Sequence, residues 1–263
     1  MNPGAYLTGK HAVVTGANGG IGRAIAAELA YLGATLTLAT RNGDALEEHA
    51  AELRERYVVE IDIAVCDITD PSVVEKVFAR AQHRFGCPYV LVNTAGWGEA
   101  HEFDQTSREI WDRTLGVNLT GTFVCVKQVL PAMTKKQEGR IINIASTAAL
   151  KGYRNLSAYC AAKHGLIGLT RALAVEVATA GITVNAVCPT YTADTGMCEQ
   201  AIHGVMEKLN ADRARAIAAL ARPIPRRSLI TTSEVVNAVS WLCSPNASAI
   251  TGQSIVVAGG EVM

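Results

Sequence analysis

The stretch that decides the fold is His11-Ala12-Val13-Val14-Thr15-Gly16-Ala17-Asn18-Gly19-Gly20-Ile21-Gly22. Five mostly apolar residues, His11–Thr15, have the composition of a buried parallel strand. The amphipathic pattern over Gly20–Leu32 then predicts a helix. The glycines between them follow G-x-x-x-G-x-G, not the strict G-x-G-x-x-G of many nucleotide-binding turns. The physics is shared. Glycines allow a tight turn and close approach of a pyrophosphate, and a helix N-terminus offers free N–H groups and a partial positive charge. Gly22 is expected to let the helix pack close on the sheet. Set between a first strand and a first helix, such a turn points to a dinucleotide site.

The same alternation repeats along the chain. Runs at Thr35–Ala39, Val58–Val65, Tyr89–Asn93, Arg140–Ala145, Thr183–Val187 and Ser254–Val257 predict strands, several of them apolar on both faces. Helical patterns lie between them at Asp44–Arg56, Ser72–Phe85, Arg108–Met133, Ser157–Ala180 and Ser233–Leu242. Asp70-Pro71 places proline at a first helical position, and Ser233-Glu234 has the form of an N-cap with an acidic first turn. Length alone, 263 residues, allows one large domain or two small ones. With no linker or repeat, the alternation predicts one α/β domain over 1–263. Its expected form is a Rossmann-type, doubly wound parallel sheet with helices on both faces. One connection is out of rhythm: about 190–232 is too long for an ordinary loop and is expected to be a substrate lid.

The composition, 49% hydrophobic and 18% charged, is that of a soluble globular protein. Lys+Arg and Asp+Glu are equal at 24 each, which argues against a nucleic-acid or anionic-membrane partner. The seven cysteines lack any C-x-x-C pair, so they read as reduced, buried small residues and not as a disulfide frame or metal site. Met1-Asn2-Pro3-Gly4 carries no basic-then-apolar signal, and no apolar run reaches a membrane span. A cytoplasmic protein is expected.

Chemistry enters with Tyr159-Cys160-Ala161-Ala162-Lys163, which follows Ser146. On a helix, Tyr159 and Lys163 share one face a turn apart. An ammonium beside a phenol would pull its pKa down from ~10 toward working pH. Such a group is a general acid/base for carbonyl and hydroxyl chemistry. His164 points off that face and reads as structural.

Taken in order, Thr15-Gly16-x-x-x-Gly20-x-Gly22, Asn93-Thr94-Ala95-Gly96, Asn118, Ser146, Tyr159-x-x-x-Lys163 and Pro189 strongly resemble the short-chain dehydrogenase/reductase family. Within it, Arg140–Ser146, Ala161–Thr170 and Gly181–Pro189 look most like β-ketoacyl and polyketide ketoreductases, and like related hydroxyacyl-CoA and cyclic-alcohol dehydrogenases. The resemblance implies that Tyr159 exchanges the proton with the carbonyl oxygen and that Ser146 hydrogen-bonds the same oxygen. It implies that Lys163 holds the nicotinamide ribose and that Asn118 supports a proton-relay water. For the cofactor it implies Gly16, Asn18, Gly20, Ile21 and Gly22 at the phosphates, Asp67 and Ile68 at the adenine, and Asn93, Ala95 and Gly96 at the ribose. Pro189 and a following threonine, Thr192 or Thr195, would meet the carboxamide. Thr40 stands where NAD enzymes of the family carry aspartate, and Arg41 follows. That favours NADP(H), a 2′-phosphate being bound bidentately by Arg41, with NAD(H) the alternative. Thr94 and Thr190 depart from the family's usual asparagine and glycine.

On the substrate side, Trp97, Ala148, Tyr153, Tyr191 and Met197, with Leu150 and Met206, would line an apolar pocket. Arg226 and Arg227 read as a solvated face. The expected activity is NADP(H)-dependent interconversion of a ketone and a secondary alcohol. The favoured substrate is a β-ketoacyl thioester or a cyclic ketone, in a homotetramer or homodimer. The rival readings are an NAD-dependent hydroxyacyl-CoA or cyclic-alcohol dehydrogenase and a catalytically silent dinucleotide-binding regulator.

Overall fold

Strand β1 (His11–Thr15) is buried along its whole length, and its side chains alternate between two apolar layers. Ala12 and Val14 join Ile25 and Leu29 of α1 (Gly20–Tyr31) on one side. Val13 joins Phe78 of α3 (Pro71–Phe85) and Val129 of α5 (Gly121–Lys136) on the other. A strand covered on both faces needs a parallel sheet with helices above and below. The structure, a computed structural model, has that architecture and describes residues 5–263; the Met1–Gly4 signal reading falls outside the described residues.

Seven parallel strands form one sheet in the order β3-β2-β1-β4-β5-β6-β7. The others are β2 (Thr35–Thr40), β3 (Ile61–Val65), β4 (Pro88–Asn93), β5 (Gly139–Ile144), β6 (Ile182–Pro189) and β7 (Ser254–Val257). The winding reverses between β1 and β4, the switch point where α/β sheets open a crevice at their carboxyl ends. Register brings three segments to that crevice, because Thr15 of β1 pairs with Ala39 of β2 and Asn93 of β4. The remaining helices are α2 (Asp44–Arg56), α4 (Arg108–Leu115), α6 (Ser157–Val177), α7 (Gly196–Leu209), α8 (Arg213–Ala221) and α9 (Thr232–Cys243).

Three sequence expectations need correction. The third strand begins at Ile61, not Val58, because Val58 is fully exposed and pairs with nothing in the sheet. The helix read over Arg108–Met133 is interrupted by a π turn, Gly116–Thr120, between α4 and α5. The cap of α9 is Thr231, not Ser233. Its hydroxyl accepts from the Glu234 amide while the Glu234 carboxylate accepts from the Thr231 amide, a reciprocal box worth about 1 kcal/mol. Asp70 caps α3 as expected, accepting from Ser72 and Val73 with Pro71 at the first helical position.

The long connection after β6 folds into α7 and α8, which share a small core of Cys198, Ile202, Ala216 and Leu220. No helix among the described residues is long and apolar enough to cross a membrane. All seven cysteines are free thiols; five are buried, and Cys87 and Cys160 are only partly so.

Candidate active site

The phosphate side of the crevice is built by the turn after β1. Helix α1 follows the N-cap residue Gly19 and has no side-chain cap, unlike α3, α4, α7, α8 and α9, so its first amides are unclaimed by side chains. Gly16, Gly20 and Ile21 belong to this turn. Gly22 does a different job from the one expected. A β-carbon there would stand 2.2 Å from the Gly16 carbonyl oxygen, so the residue closes the turn on itself rather than seating the helix on the sheet.

At the end of β2 the buried Thr40 donates its hydroxyl to the Asn18 side chain, which ties the turn to the strand. Arg41 beyond it is exposed. Burial would raise the Asp67 carboxyl, but hydrogen bonds from the Thr69 hydroxyl and amide, together with the Arg41 charge, hold it below the usual carboxylate range. Arg41 and Asp67 therefore share one rim of the crevice. The Ile68 side chain belongs to the core layer under α5.

Beside this rim runs a polar ladder. Asn93 donates to Asn143 over 2.9 Å, and Asn143 donates to Thr170 of α6 over 2.9 Å. The Asn93 Oδ1 atom is buried and has no partner. Thr94, the departure from asparagine, donates its hydroxyl to the Thr15 carbonyl and so bolts the ends of β1 and β4 together. Ala95 donates its amide to the Thr15 hydroxyl. Gly96 lies beside the Asn118 carboxamide and the Lys163 ammonium, where an added β-carbon would stand 3.2 and 3.8 Å from them.

Asn118 sits fully buried in the π turn. Its Nδ2 donates to the Thr114 and Trp97 carbonyls, and its Oδ1 accepts from the Trp97 amide. The widened turn is what lets one side chain reach both α4 and the segment after β4; such bulges concentrate at functional sites. The Trp97 ring is covered by the Arg113 guanidinium at 4.1 Å.

Tyr159, Lys163 and Ser146 come together as expected, and all are shielded from solvent to differing degrees: Tyr159 is 8% exposed and Lys163 3%. Their electrostatics correct the expectation. Burial pushes the Tyr159 phenol up to about 12, against a downward pull from its hydrogen bond with Ser146. Burial also pulls the Lys163 ammonium down to about 8. Lys163 does not stand at the phenol oxygen: Nζ donates to the Ile144 carbonyl over 2.8 Å and lies 5.6 Å from the Tyr159 ring centre. One N–H of the ammonium is thereby used, and two others are left. Ser146 Oγ also accepts from the Ala148 amide over 3.1 Å.

After Pro189 the threonines are committed to one another. Thr192 donates to the Thr190 carbonyl, and Thr195 donates to the Thr192 carbonyl and caps α7. Tyr191 and Met206 pack on the core of α7 and α8, and Leu150 packs in a small cluster with Leu166 and Cys188, so these three are at least partly core. Ala148 is buried, while Met197 is 42% exposed. Arg226 pairs with Glu234 and Arg227 bonds the Arg222 carbonyl, consistent with a surface role. His164 bonds the Cys160 carbonyl on its own helix.

Two residues of the site were missed by sequence reasoning. Gly98 lies directly against the Tyr159 ring. Glu261, near the chain end, bonds Thr190, Tyr153 and Lys151. Gly98 follows Gly96 and Trp97 and could have been suspected; nothing near Glu261 in sequence marks it.

Residues 10–205 match the family described as short chain dehydrogenase, and the chain belongs to that family. It is 34% identical to the 3-oxoacyl-[acyl-carrier-protein] reductase FabG of Rickettsia bellii, over 98% of each chain. It is 36% identical to the D-beta-hydroxybutyrate dehydrogenase of Rhizobium meliloti, over 95% of this chain and 98% of that one. Among solved structures, it superposes on an actinorhodin polyketide ketoreductase with NADPH at a TM-score of 0.91, 36% identity and 96 and 97% coverage. The protein is thus an oxidoreductase of the family, working between a ketone and an alcohol.

Proposed function

We propose that the protein uses NADP(H) to interconvert a ketone and a secondary alcohol, in the reducing direction acting on a β-ketoacyl thioester or a cyclic, polyketide-like ketone. The observation that carries the reading is the convergence of the buried Tyr159 and Lys163 with the partly buried Ser146 beyond the carboxyl ends of the central strands, with Gly96 beside Lys163.

The residues present fit a dinucleotide. The uncapped start of α1 offers amide donors for a pyrophosphate. The orphaned Asn93 Oδ1 and the unused N–H groups of Lys163 complement ribose hydroxyls. Thr40 and Arg41 suit a 2′-phosphate better than a bare hydroxyl, because no carboxylate ends β2 and a guanidinium follows it. The ketoreductase with which the chain superposes was solved with NADPH. When bound, the nicotinamide supplies the hydride.

The chain's own residues handle the proton. Tyr159, neutral and buried, holds it where a carbonyl oxygen would receive it, and Ser146 steadies that oxygen from a second direction. Lys163 keeps a positive charge beneath the site. Helices α7 and α8 would close over the substrate as a lid on the single domain. A homotetramer or homodimer in the cytoplasm is the assembly and setting the family resemblance supports.

One observation favours the oxidative, NAD-dependent alternative. The glycine turn carries no second basic residue, since Ala17 and Asn18 are uncharged. Reduction of a ketone panel with NADPH and with NADH tests the reading, alongside Tyr159→Phe. That variant is expected to lose about 10²–10⁴-fold in turnover, the general-acid contribution, while binding NADPH within threefold of the wild type. Unchanged turnover would remove Tyr159 as the acid.

A further inference from the structure

Glu261 has a side chain only 3% exposed, and each of its oxygens is occupied. Oε1 accepts from Lys151 Nζ over 2.9 Å and from the Tyr153 hydroxyl over 2.7 Å. Oε2 accepts from the Thr190 hydroxyl. Because the Tyr153 hydroxyl spends its proton on Glu261, the Thr147 hydroxyl at 2.7 Å is the donor in the next link. The chain of bonds therefore runs from Thr147, adjacent to Ser146, through Tyr153 and Glu261 to Thr190, adjacent to Pro189.

On the function proposed above, these are the two walls between which the carbonyl would enter. Tyr191, next along the second wall, is partly buried, and burial together with the Glu261 carboxylate raises its phenol pKa. The tail that delivers Glu261 is itself held, since the Arg226 amide donates to Gly259 and the Thr190 amide donates to Val257. Burial would raise the Glu261 carboxyl, but the bonds from Thr190, Tyr153 and Lys151 overcome that and hold it below the usual range, so it stays ionised. A buried carboxylate with this many charged and neutral donors is a rigid link, because losing any donor leaves an acceptor without water to replace it.

We infer that Glu261 is a positioning residue: it ties the segment after Ser146 to the segment after Pro189 and so fixes the width of the crevice that admits the ketone. The kinetic part of this inference rests on the function proposed above; the structural part does not. It also gives Thr190 a reason to be there, as the hydroxyl through which the second wall is held.

Two readouts test it on the full chain, using Glu261→Gln, Thr190→Gly and the double variant. Amide hydrogen exchange at 147–156 and 190–195 is expected to quicken at least about fivefold in Glu261→Gln, with 16–22 unchanged. With ethyl acetoacetate and NADPH, KM for the ketone is expected to rise about tenfold while kcat stays within about threefold. The double variant is expected to be no worse than Glu261→Gln alone, because the two groups act as one link. Unchanged exchange in both segments overturns the inference, as does a fall in kcat without a rise in KM, or losses that multiply in the double variant. A wild type that reduces no ketone ends the functional reading but leaves the exchange result to decide the role of Glu261. Should Glu261→Gln not fold, Thr190→Gly carries the same exchange test at 190–195.

Discussion

Gly98 packs flat on Tyr159: a β-carbon at position 98 would stand 2.7 Å from Cδ2 and 3.2 Å from Cε2 of the ring. The segment after β4 thus sets the tilt of the phenol. Gly98→Ala is expected to turn the ring away and to lower kcat/KM by about 10–100-fold, the scale of an ångström-sized misplacement of a reacting group. Circular dichroism and NADPH titration should show a folded protein with near-normal cofactor affinity. Full activity would mean that the ring has room to yield.

Lys163 gives a pH signature in stability. Burial pulls its ammonium from 10.5 to about 8, whereas the unfolded chain keeps the ordinary value. Between about pH 8 and pH 10 the unfolded state binds more protons, so stability rises with pH across that window. Below it the folded protein bears the full cost of a buried charge. Lys163→Met is expected to be more stable than the wild type at pH 7 by on the order of 2 kcal/mol, after the lost Ile144 bond is set against the relief of burial. The gap should close by about pH 10, before Tyr159, whose pKa of about 12 acts in the opposite direction, begins to matter. Urea unfolding midpoints from pH 7 to 10 would show it; parallel curves would mean that Lys163 is not strained by burial.

The proposed preference for NADP(H) rests on Arg41. Removing its guanidinium takes away the group at the end of β2 that can pair with a phosphate, and leaves Thr40 bonded to Asn18. Arg41→Ala is expected to weaken NADPH binding at least about tenfold, the loss of a charge-assisted pair, while NADH binding changes less than about twofold. Fluorescence titration with each nucleotide separates the cases. Equal losses would overturn the phosphate assignment.

The order of strands and helices was legible because it is local physics. β1 and β7 begin and end where their apolar runs do, and Asp70-Pro71 starts α3 as its chemistry requires. The pairing of Tyr159 with Lys163 followed from helical spacing alone. What failed was whatever depends on neighbours distant in the chain. Arg108–Met133 reads as one continuous helix. The π turn within it places Asn118 where its side chain bonds both Trp97 and Thr114, contacts that no local periodicity encodes. The phenol's upward shift was invisible because sequence spacing says that a cation is near but not how much water has been removed. Glu261 met Thr190 and Tyr153 across 71 and 108 residues of chain, and no local pattern encodes such a meeting. Sequence therefore determined the sheet, the glycine turn and the shared helix face of Tyr159 and Lys163, through periodicities that act over a few residues. The tertiary structure decided their protonation, their tilt and the width of the crevice, because burial and close contact are properties of the packed chain.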